Sequence, residues 1–193
     1  LYGNVTKSDI PDIINESQGL NRNPLDITLG MLHGERNDLV NIDKHPYLEL
    51  EKERRLLRNV GYINPDNIEH YIARDGYLAL SNILERGLTD EEIRKEITDS
   101  GLAGRGGAFF PTGVKWGFLS SANNDNKYLI CNADEGDPGS WVNRILMESD
   151  PHTIIEGMII AASATYSNSG YIYIRSEYPL AIERMQKAID DAY

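Results

Sequence analysis

Six glycines fall within seventeen residues, Gly101-Leu102-Ala103-Gly104-Arg105-Gly106-Gly107-Ala108-Phe109-Phe110-Pro111-Thr112-Gly113-Val114-Lys115-Trp116-Gly117. So much glycine disfavours both helix and strand, because each one loses the most backbone freedom on ordering. The stretch therefore predicts a loop. Missing Cβ atoms let something flat or anionic lie against backbone N–H groups. Cationic and aromatic side chains sit in the same stretch. An acidic cluster, Asn132-Ala133-Asp134-Glu135-Gly136-Asp137-Pro138-Gly139, begins fifteen residues after it ends. Together the two segments suggest a nucleotide or flavin site.

The formal net charge of −11 over 193 residues argues against a nucleic-acid backbone or an anionic membrane surface as the main partner. A phosphate-bearing cofactor stays compatible, since a few local donors suffice. Cys131 is the single cysteine, so no internal disulfide forms and thiolates of this chain alone hold no cluster. The four histidines, His33, His45, His70 and His152, are scattered, and no metal-ligand spacing is present. The longest apolar run, near Ile154 to Ala164, is broken by Glu156 and is too short to span a bilayer. No signal peptide is visible. The chain starts at Leu1 and stops inside a helical pattern, which reads as a fragment or processed piece.

Residues 1–48 read as an arm and linker, with a short helix near Asp9 to Ile14 and a polar linker from Asn21 to Asp43. Residues 49–100 read as a helical segment. Glu49 to Arg58 is charged and predicts a solvated helix. Asn64-Pro65 has the form of a cap followed by proline at the first helical position, ahead of Ile68, Tyr71 and Ile72. A further helix runs from Tyr77 to Gly87. Thr89 and Glu92 have capping-box spacing before Ile93 and Ile97, and Gly101 stops that helix. In residues 101–193 the rhythm changes. Tyr128-Leu129-Ile130-Cys131-Asn132 predicts a buried strand, Asp150-Pro151 a helix start, Gly170 to Arg175 a second strand, and Pro179 a last amphipathic helix. Strand, helix, strand, helix implies a parallel pair joined by a crossover. Ligands of such sheets bind beyond the carboxyl ends of the strands, where the acidic cluster starts.

The glycine stretch, Asn132 to Gly139, Asp150-Pro151-His152, Ile155-Glu156-Gly157-Met158 and Tyr171-Ile172-Tyr173-Ile174-Arg175 occur in order. Together they resemble the family of flavin-binding NADH dehydrogenase subunits. That family includes the 51 kDa subunit of respiratory complex I and the flavin subunits of NAD-linked and bifurcating hydrogenases and of formate dehydrogenases. The resemblance covers residues 55 to 193. Gly136-Asp137 and Glu177-Tyr178-Pro179-Leu180 look more like the hydrogenase branch. Residues 1 to 35 are weakly similar to the tail of a thioredoxin-like iron–sulfur domain.

The resemblance implies an α/β fold, a parallel-strand flavin and NADH-binding domain preceded by a mostly helical arm. That domain would be incomplete at its C-terminus. The resemblance further implies an oxidoreductase subunit that binds FMN, takes a hydride from NAD(H) and passes electrons to iron–sulfur clusters. Those clusters would lie in a missing C-terminal part or in partner chains, which would be a thioredoxin-like iron–sulfur subunit and a cluster-bearing subunit. The location implied is cytoplasmic, or the cytoplasmic face of a membrane complex. Carried over by position, the cofactor residues are Gly104, Arg105, Gly106, Gly107, Lys115, Asn132, Asp134 and Glu135. The NAD(H) residues are Phe110, Phe118 and Asp137. No side chain is expected to act as a proton-transfer catalyst, because the flavin carries the redox chemistry.

One departure stands out. The family loop reads Gly-Arg-Gly-Gly-Ala-Gly-Phe, and here its third patterned glycine is Phe109. The ring either occupies ligand space or swings aside to line the nicotinamide pocket. The second functional reading is a degenerate or truncated homologue with a structural role and no flavin. Bland alternatives attach to single residues. Arg105 and Arg144 could pair with the acidic cluster and only hold the fold. Trp116 and Trp141 could be core, and Cys131 a buried inert thiol. Arg175 and Glu177 stay undecided.

Overall fold

The computed structural model describes residues 7–17, 30–31, 40–41 and 54–193. Chain contacts divide it into two units, Leu1–Leu56 and Leu57–Tyr193. In the first unit a 3-10 turn (Lys7–Asp9) leads into α1 (Ile10–Ser17), the short helix expected around Pro11. Two-residue strands β1 (Gly30–Met31) and β2 (Val40–Asn41) pair in parallel, within the stretch read as linker. The rest of that linker lies outside the described residues.

The second unit holds α2 (Ile68–Ile72), α3 (Leu78–Arg86), α4 (Asp90–Asp99), α5 (Thr112–Ser120), β3 (Tyr128–Asn132), α6 (Val142–Ser149), α7 (Pro151–Thr165), β4 (Ser169–Tyr173) and α8 (Pro179–Ala192). Residues 57–100 and 101–193 thus belong to one compact body. The charged helix expected over Glu49 to Arg58 is corrected: residues 56–60 run as turns after a bend at Arg55, and 49–53 lie outside the described residues. Val60 and Tyr62 donate to Leu57 and Asn59, and Gly61 sits at φ +84°, so the chain curls before a helical ladder starts.

Asn67, not Asn64, caps α2. Its Oδ1 accepts from the Glu69 amide at 2.9 Å, while Asn64 holds the preceding turn by accepting from Asp66. The capping box of α4 forms as its spacing predicts. Thr89 Oγ1 accepts from the Glu92 amide at 3.3 Å, and Glu92 accepts from the Thr89 amide at 2.8 Å.

The glycine stretch is only half loop. From Thr112 it turns into α5, because its glycine serves packing. A Cβ on Gly113 would stand 2.1 Å from Thr98 Oγ1 and 2.9 Å from Thr98 Cα, so α4 and α5 meet there backbone to backbone. Gly113→Ala should therefore cost about 2 kcal/mol, as overpacking that forces the helices apart. Urea unfolding reads this as a fall in midpoint. An unchanged midpoint would mean that α4 moves freely.

β3 and β4 pair in parallel, in register Tyr128↔Ser169 to Asn132↔Tyr173, and the Ala133 amide extends the ladder to the Tyr173 carbonyl at 2.9 Å. The connection carries two helices: α7, which its proline start predicts, and α6, which no local signal predicts. One sheet face, with Cys131 and Ile172, packs on the core of Ala133, Met147, Ile155, Ala181, Met185 and Ala188. The opposite face is a correction to the buried-strand expectation: Tyr128, Ile130, Tyr171 and Tyr173 are exposed. Trp141 is 56% exposed and is not core, whereas Trp116 is half-buried. Burial raises the Cys131 thiol pKa, in keeping with an inert thiol.

A buried polar network ties residues 59–80 to the start of α7. Glu156 accepts from Tyr71 Oη at 2.6 Å, from the Tyr77 amide at 2.9 Å and from the Leu80 amide at 3.3 Å. Asn59 donates to Asp150 at 2.9 Å, and Arg74 donates to Asn59 at 2.9 Å. Tyr77 Oη lies 2.8 Å from His152 Nδ1. Desolvation raises the pKa of Asp150 and lowers that of His152, and it pushes the Tyr77 phenol up to about 12. The network therefore favours neutral forms of Tyr77 and His152.

Candidate functional site

The candidate residues fall on three pieces of the second unit: a hairpin, a helix start and a strand end. The hairpin is closed by Gly104 N–H donating to Phe110 O and Thr112 N–H donating to Leu102 O, both 2.9 Å, around the bridge Ala103↔Pro111. Gly107, at φ +100°, occupies backbone space that a side chain would strain. Where a Cβ would stand on Gly106 or Gly107, nothing lies within 4 Å. The Phe109 ring does not cover those positions; it is 66% exposed.

The hairpin feeds directly into α5, whose N-cap is Pro111 with no side-chain cap. Of its first-turn amides, that of Thr112 is spent on Leu102, and those of Gly113 and Val114, which make no hydrogen bond among the described residues, are left to meet an anion. Lys115 projects from that turn. Neither the Lys115 nor the Arg105 side chain makes a hydrogen bond or ion pair among the described residues, and both residues are exposed. The expectation that Arg105 pairs with the acidic cluster is corrected accordingly. Phe110 and Phe118 come together, with ring centroids 6.3 Å apart and planes tilted by 43°, and both rings are exposed.

The third part is the carboxyl end of β3. Asn132 is exposed and its Oδ1 accepts from the Asp134 amide at 3.1 Å. The Asp134 carboxylate makes no hydrogen bond among the described residues. Glu135 is used differently from its neighbour. Its carboxylate accepts from the amides of Asn143 and Arg144 at 2.9 and 2.8 Å and from Ser140 Oγ at 3.1 Å. It therefore caps α6, whose own N-cap residue, Trp141, offers no side-chain cap. Asp137 is exposed, and its carbonyl accepts from the Ser140 amide at 3.0 Å. No hydrogen bond or ion pair joins the hairpin to this cluster among the described residues.

Arg175, which the sequence leaves undecided, holds the backbone at the end of β3. Its Nη1 donates to the Glu135 carbonyl at 3.1 Å, pinning the strand end from β4. Its partner Glu177 accepts from it at 3.0 Å, and that bond holds the Glu177 carboxyl down at about 2. The Tyr178 ring receives both Arg144, at 5.0 Å, and Arg175, at 5.4 Å. Arg144 bonds Glu148 at 2.8 Å and supplies only its amide to the acidic cluster. The signal for Arg175 is its place at the carboxyl end of the second strand.

Among the described residues no group of three or more His, Cys, Asp or Glu side chains could hold a metal, and no helix is long and apolar enough to cross a membrane.

The parallel pair, the crossover helices and the strand-end cluster define an open α/β domain. The family model described as the Nuo51 FMN-binding domain matches residues 97–193, and the chain belongs to that family. It is 48% identical over 144 residues to the NADP-reducing hydrogenase subunit HndC of Solidesulfovibrio fructosivorans, covering 75% of this chain and 29% of that protein. It is also 38% identical over 149 residues to the mitochondrial NADH dehydrogenase [ubiquinone] flavoprotein 1 of Dictyostelium discoideum, covering 76% of this chain and 31% of that protein. The chain thus spans less than a third of these relatives' length. The fold is similar to an NAD+-reducing [NiFe]-hydrogenase in the H2-reduced state, with TM-score 0.54 and 26% identity, over 98% of this chain and 29% of that one.

Proposed function

We propose that this chain contributes the FMN-binding part of an NAD(H)-linked oxidoreductase subunit. The observation that carries the reading is the open glycine face of the hairpin, beside an uncapped helix start and two cations with no partner among the described residues. That set fits a planar ring system bearing a phosphate: glycines admit the ring, and Lys115, Arg105 and the α5 amides attract the anion. When bound, FMN supplies acceptance of a hydride from NAD(H) and release of its electrons one at a time.

The chain's own residues bind and orient. Gly104, Gly106 and Gly107 present backbone where Cβ atoms would intrude. Asn132 offers an amide that donates and accepts at a ring edge, and Asp134 accepts from sugar or ribityl hydroxyls. Phe110 and Phe118 give flat faces for the nicotinamide nucleotide, with Asp137 as a hydroxyl acceptor. Glu135 belongs to the site through the backbone that it fixes. In the whole protein, electrons pass to iron–sulfur clusters in other segments or chains of a multi-subunit redox complex. The thioredoxin-like iron–sulfur subunit is the proposed neighbour, and the cytoplasm or the cytoplasmic face of a membrane the proposed location. The open space over Gly106 and Gly107 favours this reading over a flavin-free structural homologue.

Lys115→Ala should weaken FMN binding about tenfold, the loss of one charge-assisted phosphate contact. Titration of the full-length protein, followed by quenching of flavin fluorescence, measures it. Equal affinity in parent and variant would remove Lys115 from the site.

A further inference from the structure

Among the described residues, five that are not glycine adopt the left-handed region: Asp75, Tyr77, Phe109, Glu135 and Tyr166. Four have a visible compensation. Asp75 is a short polar residue that tolerates this conformation. Tyr77 donates its amide to Glu156, and its hydroxyl meets His152. Glu135 is held by its carboxylate and its carbonyl. The Tyr166 hydroxyl donates to Asp90 at 2.6 Å, and its ring receives Lys127 at 5.8 Å. Phe109, at φ +50°, has none of these. Its side chain cannot hydrogen-bond, and it makes no ring–ring or cation–π contact among the described residues.

A strained, bulky residue persists where its surroundings over-determine it, and such residues gather at ligand clamps. The surroundings of Phe109 within the fold do not do so. The ring stands at the end of a hairpin whose glycine face is open, next to the exposed Phe110–Phe118 pair. We propose that Phe109 is a stacking residue that packs its ring on the planar heteroaromatic ring of a ligand seated on the hairpin. The proposal rests on the reading of the hairpin as a flavin and dinucleotide site. The stacked ring belongs to FMN or to NADH, and the two arms of the test separate them.

The test uses the full-length protein and the substitutions Phe109→Gly, Phe109→Asn and Phe109→Tyr. Gly and Asn both tolerate positive φ and lack the ring. FMN affinity is read by fluorescence quenching, the KM for NADH with an artificial electron acceptor, and thermal midpoints on flavin-free protein. Phe109→Gly and Phe109→Asn should weaken FMN, or raise the KM for NADH, about three- to tenfold, with Phe109→Tyr close to the parent. A change in FMN affinity alone assigns the stacked ring to the flavin; a change in KM alone assigns it to the nucleotide. The midpoint of ligand-free Phe109→Gly and Phe109→Asn should hold or rise. Unchanged or tighter binding of both ligands overturns the proposal, tighter binding marking the ring as an obstruction. A lower midpoint overturns it too, because the ring would then pack in the fold. A parent that binds neither ligand overturns the hairpin reading itself, before any variant is compared.

Discussion

Glu156→Ala is expected to lower the stability of the second unit by about 4 kcal/mol, enough to leave a domain of this size barely folded. The carboxylate is buried and accepts from one phenol and two backbone amides. Alanine leaves those three donors dry. The hydroxyl of Tyr71 does not escape by ionising, since burial, the largest cause of its raised pKa, persists when the carboxylate is gone. The loss would spread through the same network. Tyr77, held at positive φ, is fixed by Glu156 at its amide and by His152 at its hydroxyl. Glu156→Gln keeps one oxygen acceptor and should cost less than half as much. Urea unfolding midpoints separate the two. Equal midpoints for parent and Glu156→Ala would show that water replaces the carboxylate.

The second large effect is expected at Glu135. Glu135→Ala removes the side-chain acceptor that caps α6 and a carboxylate at the positive end of that helix. The local cost should be about 2 kcal/mol. Hydrogen exchange at the Asn143 and Arg144 amides should accelerate more than about tenfold in flavin-free protein. FMN affinity should fall about tenfold as well, because the turn that carries Asp134 loses its brace. Arg175→Ala frees the Glu135 carbonyl on the other side. Its effect on affinity should not add fully to that of Glu135→Ala, since both hold one backbone segment. Unchanged exchange at Asn143 and Arg144 would contradict the capping role.

What is legible in the chain follows from where each partner lies. The Thr89–Glu92 capping box is readable because every partner sits within four residues. The strands are readable as short apolar runs, and Pro151 and Pro179 announce α7 and α8. α6 is not, because Glu135, its cap, lies seven residues before Val142 and looks like part of a binding cluster. The choice of Asn67 over Asn64 is equally hidden: two asparagines stand three apart, and the turn at Asn64 decides between them. The glycine stretch announces a loop, and Gly101 to Pro111 form one. Its second half becomes helix because Gly113 packs on Thr98, a contact between residues fifteen apart. Among the candidate residues, the open backbone of Gly106 and Gly107 and the Phe110–Phe118 pair follow from local sequence. The difference between Asp134, unbonded among the described residues, and Glu135, fully used, emerges only once α6 is in place.

Hydrogen–deuterium exchange on the full-length protein, with and without FMN, tests the central claim most directly. Slower exchange confined to peptides spanning Leu102 to Lys115 and Asn132 to Gly136 is the expected result. Protection elsewhere with these two segments unchanged, or no protection at saturating FMN, would contradict a flavin seated on the glycine hairpin.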